Sequence, residues 1–174
     1  MLLQKMTDFD EVSRAYKYII DNTPDIYELV RWEYGYHPSD EMLRKYINEG
    51  AVYALKEGTD IAGIMVVTMY QGEDYRDTDW AVEAEPDEVA VVHLLGVNPS
   101  FKRQGVGTRL TREALEIAKS HGKKALRLDA IEPNIPAQKL YSGMGFDFRG
   151  IRSLPVEGFG VLVFYYYEMK LTEP

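Results

Sequence analysis

Val97-Asn98-Pro99-Ser100-Phe101-Lys102-Arg103-Gln104-Gly105-Val106-Gly107-Thr108 is where an apolar strand gives way to a helix. Val89 to Val97 before it reads as a strand, stopped by Pro99. Gly105 to His121 after it reads as an amphipathic helix. Val106, Leu110, Ala114, Ile117 and Ala118 share one face, while Arg109, Arg112, Glu116 and Lys119 point away. Such a junction is an anion site. The first turn of a helix leaves backbone N–H groups without partners, and the helix dipole favours negative charge there. Gly105 and Gly107 let the backbone come close to a phosphate. Lys102 and Arg103 add formal charge, and Thr108 adds a hydroxyl. The spacing is not that of a P-loop, which needs G-x-x-x-x-G-K-[ST]. Nor is it the dinucleotide fingerprint, whose third glycine would fall on Leu110. The bland alternative is a glycine-containing turn with solvated basic residues.

Downstream, Ala125 to Ala130 reads as a strand, and Ile135 to Met144 as a short helix. The second block of interest is Asn134-Ile135-Pro136-Ala137-Gln138-Lys139-Leu140-Tyr141-Ser142-Gly143-Met144-Gly145-Phe146. Asn134 stands where a helix cap belongs, with Pro136 in the first turn. Ala137, Leu140, Tyr141 and Met144 form one helical face. Upstream, Leu2 to Met6 is a short strand, and Asp8 caps a helix. Further helices are expected near Asp25 to Trp32 and from Ser39 to Asn48. Ala51 to Leu55 and Ile61 to Tyr70 form a hairpin around Glu57-Gly58-Thr59-Asp60. Gln71 to Glu88 is a long acidic loop around Trp80. Phe146 to Arg149 begins a strand, and Val161 to Leu171 is the last. The reading is one α/β domain with a mixed sheet, spanning 1–174.

The two blocks, in this order, resemble the GNAT acetyltransferase superfamily, whose [Q/R]-x-x-G-x-[G/A] signature binds the CoA pyrophosphate. Lys102 stands at the first position of that signature in place of Gln or Arg; it keeps the charge and loses the planar fork. The resemblance covers Val89 to Phe146. It implies a mixed, mostly antiparallel central sheet flanked by helices, with an acetyl-CoA cleft between two splayed central strands. It also implies an acyltransferase that moves an acetyl group directly from acetyl-CoA to the amine of a small-molecule or peptide acceptor, without a metal. The implied cofactor contacts are the strand backbone at Leu95, Gly96 and Val97, then Lys102, Arg103, Gln104, Gly105, Val106, Gly107 and Thr108, and finally Asn134 and Ala137. The resemblance gives Tyr141 the role of protonating, or hydrogen-bonding to, the departing sulfur; its other reading is a core aromatic.

An alkyl ammonium titrates near ~10, so the acceptor must lose a proton before it attacks. His93 is the only ionisable group inside the apolar run Val89 to Val97. It shares one strand face with Val89, Val91, Leu95 and Val97. A GNAT subgroup has histidine at this point, which makes His93 the first candidate base, with an acidic limb expected near ~6.5. A core histidine is the alternative, and Glu85, Glu88, Asp129 and ordered water are rivals.

Composition bounds the rest. The chain has 174 residues, 45% of them hydrophobic, and a net charge of −8. That charge argues against nucleic acid, which calls for a basic patch. There is no cysteine, which excludes disulfides and thiolate chemistry. The three histidines, His37, His93 and His121, hold no metal-ligand spacing. No run approaches the ~20 apolar residues of a membrane span, and no signal peptide is evident, so the expectation is cytoplasmic with no membrane partner. Two features stay open: Tyr165-Tyr166-Tyr167 packs the sheet or makes a homodimer contact, and Glu168 is a site residue or a strand-end charge. Two rival functions stay open as well, a non-catalytic CoA-binding domain and a nucleotide-binding protein.

Overall fold

The computed structural model describes residues 1–171, so the last three residues of the expected 1–174 domain lie outside the described residues. The chain is a mixed α/β fold with a central sheet flanked by helices. Its elements are β1 (Leu2–Lys5), α1 (Phe9–Asn22), α2 (Ile26–Val30), α3 (Asp40–Asn48), β2 (Val52–Glu57), β3 (Asp60–Thr68), β4 (Val89–Val97), α4 (Val106–Ser120), β5 (Ala125–Ile131), α5 (Ile135–Gly143), β6 (Asp147–Val156) and β7 (Gly160–Lys170). The hydrogen-bonded strand order is β1-β2-β3-β4-β5-β7-β6. β1–β2, β2–β3, β5–β7 and β6–β7 are antiparallel. β4 and β5 are parallel, paired from Val89↔Ala125 to Val91↔Arg127. Contacts group the residues into two units. One holds Met1–Tyr27, Trp32–Thr68 and Val92–Ala114; the other holds Glu28–Arg31, Met69–Val91 and, of the described residues, 115–171.

In the first unit the helix starts follow local chemistry. The Asp8 carboxylate accepts from Glu11 N–H at 2.8 Å, and the Ser39 hydroxyl accepts from Met42 N–H at 3.2 Å. α1 buries Val12, Tyr16 and Ile19 at helical spacing. α4 buries Val106, Leu110 and Ala114, the face its sequence pattern marks. Two glycines permit close packing. A Cβ at Gly63 would lie 2.6 Å from Val106 Cγ1 and 2.8 Å from Leu110 Cδ1, so the first two turns of α4 seat directly on β3. A Cβ at Gly96 would lie 3.0 Å from the Trp32 ring. Gly63→Ala is therefore expected to cost about 1–3 kcal/mol through overpacking, read as a lower midpoint in urea with an unchanged slope.

Strand β4 is not regular throughout. Leu94 has φ +49°, a left-handed conformation that costs a branched L-residue about 1–3 kcal/mol and clusters at functional sites. The buried Tyr16 hydroxyl donates to the Leu94 carbonyl at 2.8 Å and holds the distortion in place. Burial alternates from Val92 onward, with His93, Leu95 and Val97 half-buried and Val92, Leu94 and Gly96 buried. Val89 to Val91 are buried on both faces.

In the second unit β5 pairs with β7 from Ala125↔Lys170 to Ile131↔Phe164. Asn134 caps α5 by accepting from Ala137 N–H at 3.2 Å. The acidic stretch read as a long loop is tied down. Arg149 donates to the Asp79 carbonyl at 2.9 and 2.6 Å, and Arg152 donates to the Asp74 carbonyl at 2.9 Å. Arg127 anchors the same stretch from β5 at 2.7 Å through the Val82 carbonyl. No helix among the described residues is long and apolar enough to cross a membrane.

Candidate active site

The loop between β4 and α4 is built by Asn98. Its side chain accepts from Ser100 N–H and donates to the Ile61 carbonyl, both at 2.9 Å, and its N–H donates to the Ala62 carbonyl at 2.9 Å. A short 3-10 turn, Pro99–Phe101, follows. Arg103 at φ +62° and Gly105 at φ +72° then swing the chain into α4. Lys102, Arg103, Gln104 and Gly105 are exposed, Gly107 and Thr108 are half-buried, and Val106 is buried beneath them. α1, α3 and α5 each begin with a side-chain cap. α4 does not, and the N–H groups of Val106, Gly107 and Thr108 have no acceptor among the described residues. An uncapped helix start beside two exposed cations is suited to an anion. A cavity of about 590 Å³ in the same unit touches Asn98, Ser100 and Phe101, but Asp8, Glu11 and Asp60 also line it. Those carboxylates make it a poor phosphate pocket.

His93 lies on the strand leading into this loop. Its Nε2 is 3.2 Å from Thr68 Oγ1, and its ring stacks on Tyr46 at 5.9 Å and 17°. Burial, with positive charge from His37 and Lys45, lowers its pKa to about 4. This revises the limb expected near ~6.5. His93 is neutral at pH 7 and weakly basic.

The other candidates belong to the second unit. Tyr141 is 5% exposed on α5, packed near Phe146 and Tyr167 at 5.9 and 5.8 Å. Its hydroxyl has no hydrogen-bond partner among the described residues. Burial, then the charge of Asp129, pushes it well above the ordinary tyrosine range. Its phenol therefore keeps its proton at neutral pH. Ala137 sits in the first turns of α5, where Asn134 takes its N–H. Asp129 is half-buried on β5, and burial lifts its pKa from 3.8 to about 6. Tyr75 donates a hydrogen bond to Asp129 Oδ2.

The remaining carboxylates have structural partners. Glu88 pairs with Lys124 at 2.9 Å, which holds its carboxyl below the usual range. Glu85 and Glu88 cap each other's backbone in the turn Pro86–Glu88. Glu168 is buried, bonds Arg127 at 2.9 Å, and accepts from Ala81 and Val82 N–H at 3.0 and 3.1 Å. It is a structural pin, which answers the question its sequence position left open. Tyr75 and Arg127 were not marked by the sequence; both act through contacts distant along the chain.

Known proteins align with this chain as follows. The model of the acetyltransferase (GNAT) family matches residues 23–146. An uncharacterized N-acetyltransferase of Methanocaldococcus jannaschii is 35% identical over 71 residues, covering 41% of this chain and 31% of that protein. The N-alpha-acetyltransferase RimI of Mycobacterium tuberculosis is 36% identical over 61 residues, covering 35% of this chain and 37% of that protein. The matches thus span about a third of each relative's length. The crystal structure of the ribosomal-protein-S18-alanine N-acetyltransferase from Escherichia coli superposes with TM-score 0.68, covering 99% of this chain and 95% of that one. At 16% identity that likeness is one of fold.

Proposed function

This chain belongs to the acetyltransferase (GNAT) family, and from that premise we propose that it transfers an acetyl group from acetyl-CoA directly to an amine. The observation that carries the proposal is the uncapped start of α4 beside Lys102 and Arg103. In this reading the N–H groups of Gly105, Val106, Gly107 and Thr108, with Lys102, Arg103 and Gln104, hold the pyrophosphate. The backbone at Leu95, Gly96 and Val97 pairs with the pantetheine arm as an added strand would. Asn134 and Ala137 are the further residues that the family resemblance assigns to acetyl-CoA. The family match takes in residues of both units.

The amine nitrogen attacks the thioester carbonyl, a carbon–nitrogen bond forms, and the carbon–sulfur bond breaks. The proton leaving nitrogen goes to Asp129, and the Tyr141 hydroxyl donates a hydrogen bond to the departing sulfur. Asp129 is the better base than His93, because a pKa of about 6 lies closer to neutral pH than about 4. His93 is then a packed strand residue held by Thr68 and Tyr46.

A base near 6 is also better matched to an α-amine, which titrates near ~8, than to a lysine ε-amine near ~10.4. The name of the Mycobacterium tuberculosis relative points the same way. The experiment is a panel of amines, amino sugars and short peptides with CoA thiol release as readout. The expected result is release with α-amines ahead of ε-amines. Acetyl-CoA binding with no release on any acceptor would favour a non-catalytic CoA-binding domain. ATP displacing CoA would favour a nucleotide-binding protein.

A further inference from the structure

The connection from β3 to β4 is held by a buried ion pair, and that pair delivers one side chain to Asp129. Arg127 and Glu168 are each 1% exposed. Arg127 Nε donates to Glu168 at 2.9 Å, Nη1 to Gln71 Oε1 at 2.6 Å and Nη2 to the Val82 carbonyl at 2.7 Å. The guanidinium lies 4.4 Å from the Trp80 ring centroid. Trp80 Nε1 in turn donates to the Tyr75 carbonyl at 2.7 Å. The Tyr75 ring, 1% exposed, packs against Trp80 at 5.6 Å and edge-on to Tyr166 at 5.4 Å. Every polar arm of the clamp is satisfied, which is the condition for a buried ion pair to hold a geometry. Its outcome is a tyrosine at the end of the short 3-10 turn Glu73–Tyr75 hydrogen-bonded to a carboxylate on β5.

We propose that Tyr75 is a positioning residue for acyl transfer: its hydroxyl fixes Oδ2 of Asp129 and leaves Oδ1 to receive the amine proton. The proposal rests on Asp129 being the base. Oδ1 has no hydrogen-bond partner among the described residues. The titratable and charged groups around the carboxylate are Asp74 and Tyr75 in the connection, Tyr141 on α5, and Tyr166 on β7. Burial and the Asp74 charge favour the protonated form, and the Tyr75 hydrogen bond opposes them. Tyr75 thus serves geometry and charge together: it orients the carboxylate and keeps it ionised near neutral pH.

The test is the pH dependence of kcat/KM for the full chain, Tyr75→Phe, Asp129→Asn and the double variant, with the best amine of the panel. A hydrogen bond to a charged group is worth enough to move a titration by about one pH unit. The expected result is that the acidic limb in Tyr75→Phe moves upward by about one unit while KM for acetyl-CoA stays put. The double variant should be no slower than Asp129→Asn alone, since Tyr75 acts only through Asp129. If Asp129→Asn loses the limb but Tyr75→Phe leaves it in place, the role of Tyr75 is overturned and the base assignment stands. A further rate loss in the double variant also overturns it. If Asp129→Asn keeps the limb, the base assignment fails and takes this role with it. Tyr75→Phe retains the buried ring, and its thermal midpoint, measured alongside, checks that the fold is kept.

Discussion

Asp129→Asn is expected to lower kcat by about two to four orders of magnitude, the usual worth of a positioned general base. It should also make the protein more stable at neutral pH. Burial raises the Asp129 pKa from 3.8 to about 6 in the folded chain. The folded state therefore binds this proton more tightly than the unfolded state. The stabilisation is fully present below about pH 4 and is lost as pH rises through about 6. At pH 7 the group sits ionised in a site that disfavours charge, at a cost of up to about 3 kcal/mol. Asparagine keeps the shape and can still accept from Tyr75, but it carries no charge. The thermal midpoint of Asp129→Asn should exceed that of the parent at pH 7–8, and the difference should vanish toward pH 4. The acidic limb near 6 should disappear from its rate profile. His93→Ala should leave that limb in place, because His93 titrates near 4. Loss of the limb in His93→Ala with retention in Asp129→Asn would reverse the assignment.

Replacing Lys102 and Arg103 together by Glu should weaken acetyl-CoA binding by about two orders of magnitude. Each side chain is exposed, so the low end of a charge-assisted hydrogen bond applies, about 1.5 kcal/mol apiece. Two such losses sum to about 3 kcal/mol, or roughly a hundredfold in Kd. Binding to the parent should weaken with added salt, and the variant should have lost most of that dependence. Neither side chain is in any of the ion pairs among the described residues, so the thermal midpoint should hardly change. Undiminished affinity in the double variant, measured by calorimetry at low salt, would move the anion away from this loop.

Much of this was legible because it is local. The bounds of β4, Val89–Val97, follow from an apolar run ended by Pro99. Asp8, Ser39 and Asn134 cap helices as residues of their type do at such positions. α4 starts at Val106, one residue after the expected Gly105, because Gly105 takes a left-handed φ and stands outside the helix. What was not legible is non-local or irregular. Tyr75 meets Asp129 across 54 residues, and Arg127 meets Glu168 across 41, and neither contact leaves a period in the sequence. The left-handed turn at Leu94 goes against the preference of its own residue and is held by Tyr16, which is 78 positions away. The low basicity of His93 comes from burial and neighbouring charge, which a strand pattern does not encode.

The central claim is that acetyl-CoA binds at the uncapped start of α4. The most direct measurement is titration of the ¹⁵N-labelled chain with acetyl-CoA, following the amide resonances of Val106, Gly107 and Thr108. The account predicts saturable shifts at these three amides, larger than at the side-chain-capped starts of α1 and α3. Saturable binding that leaves them unmoved would contradict it.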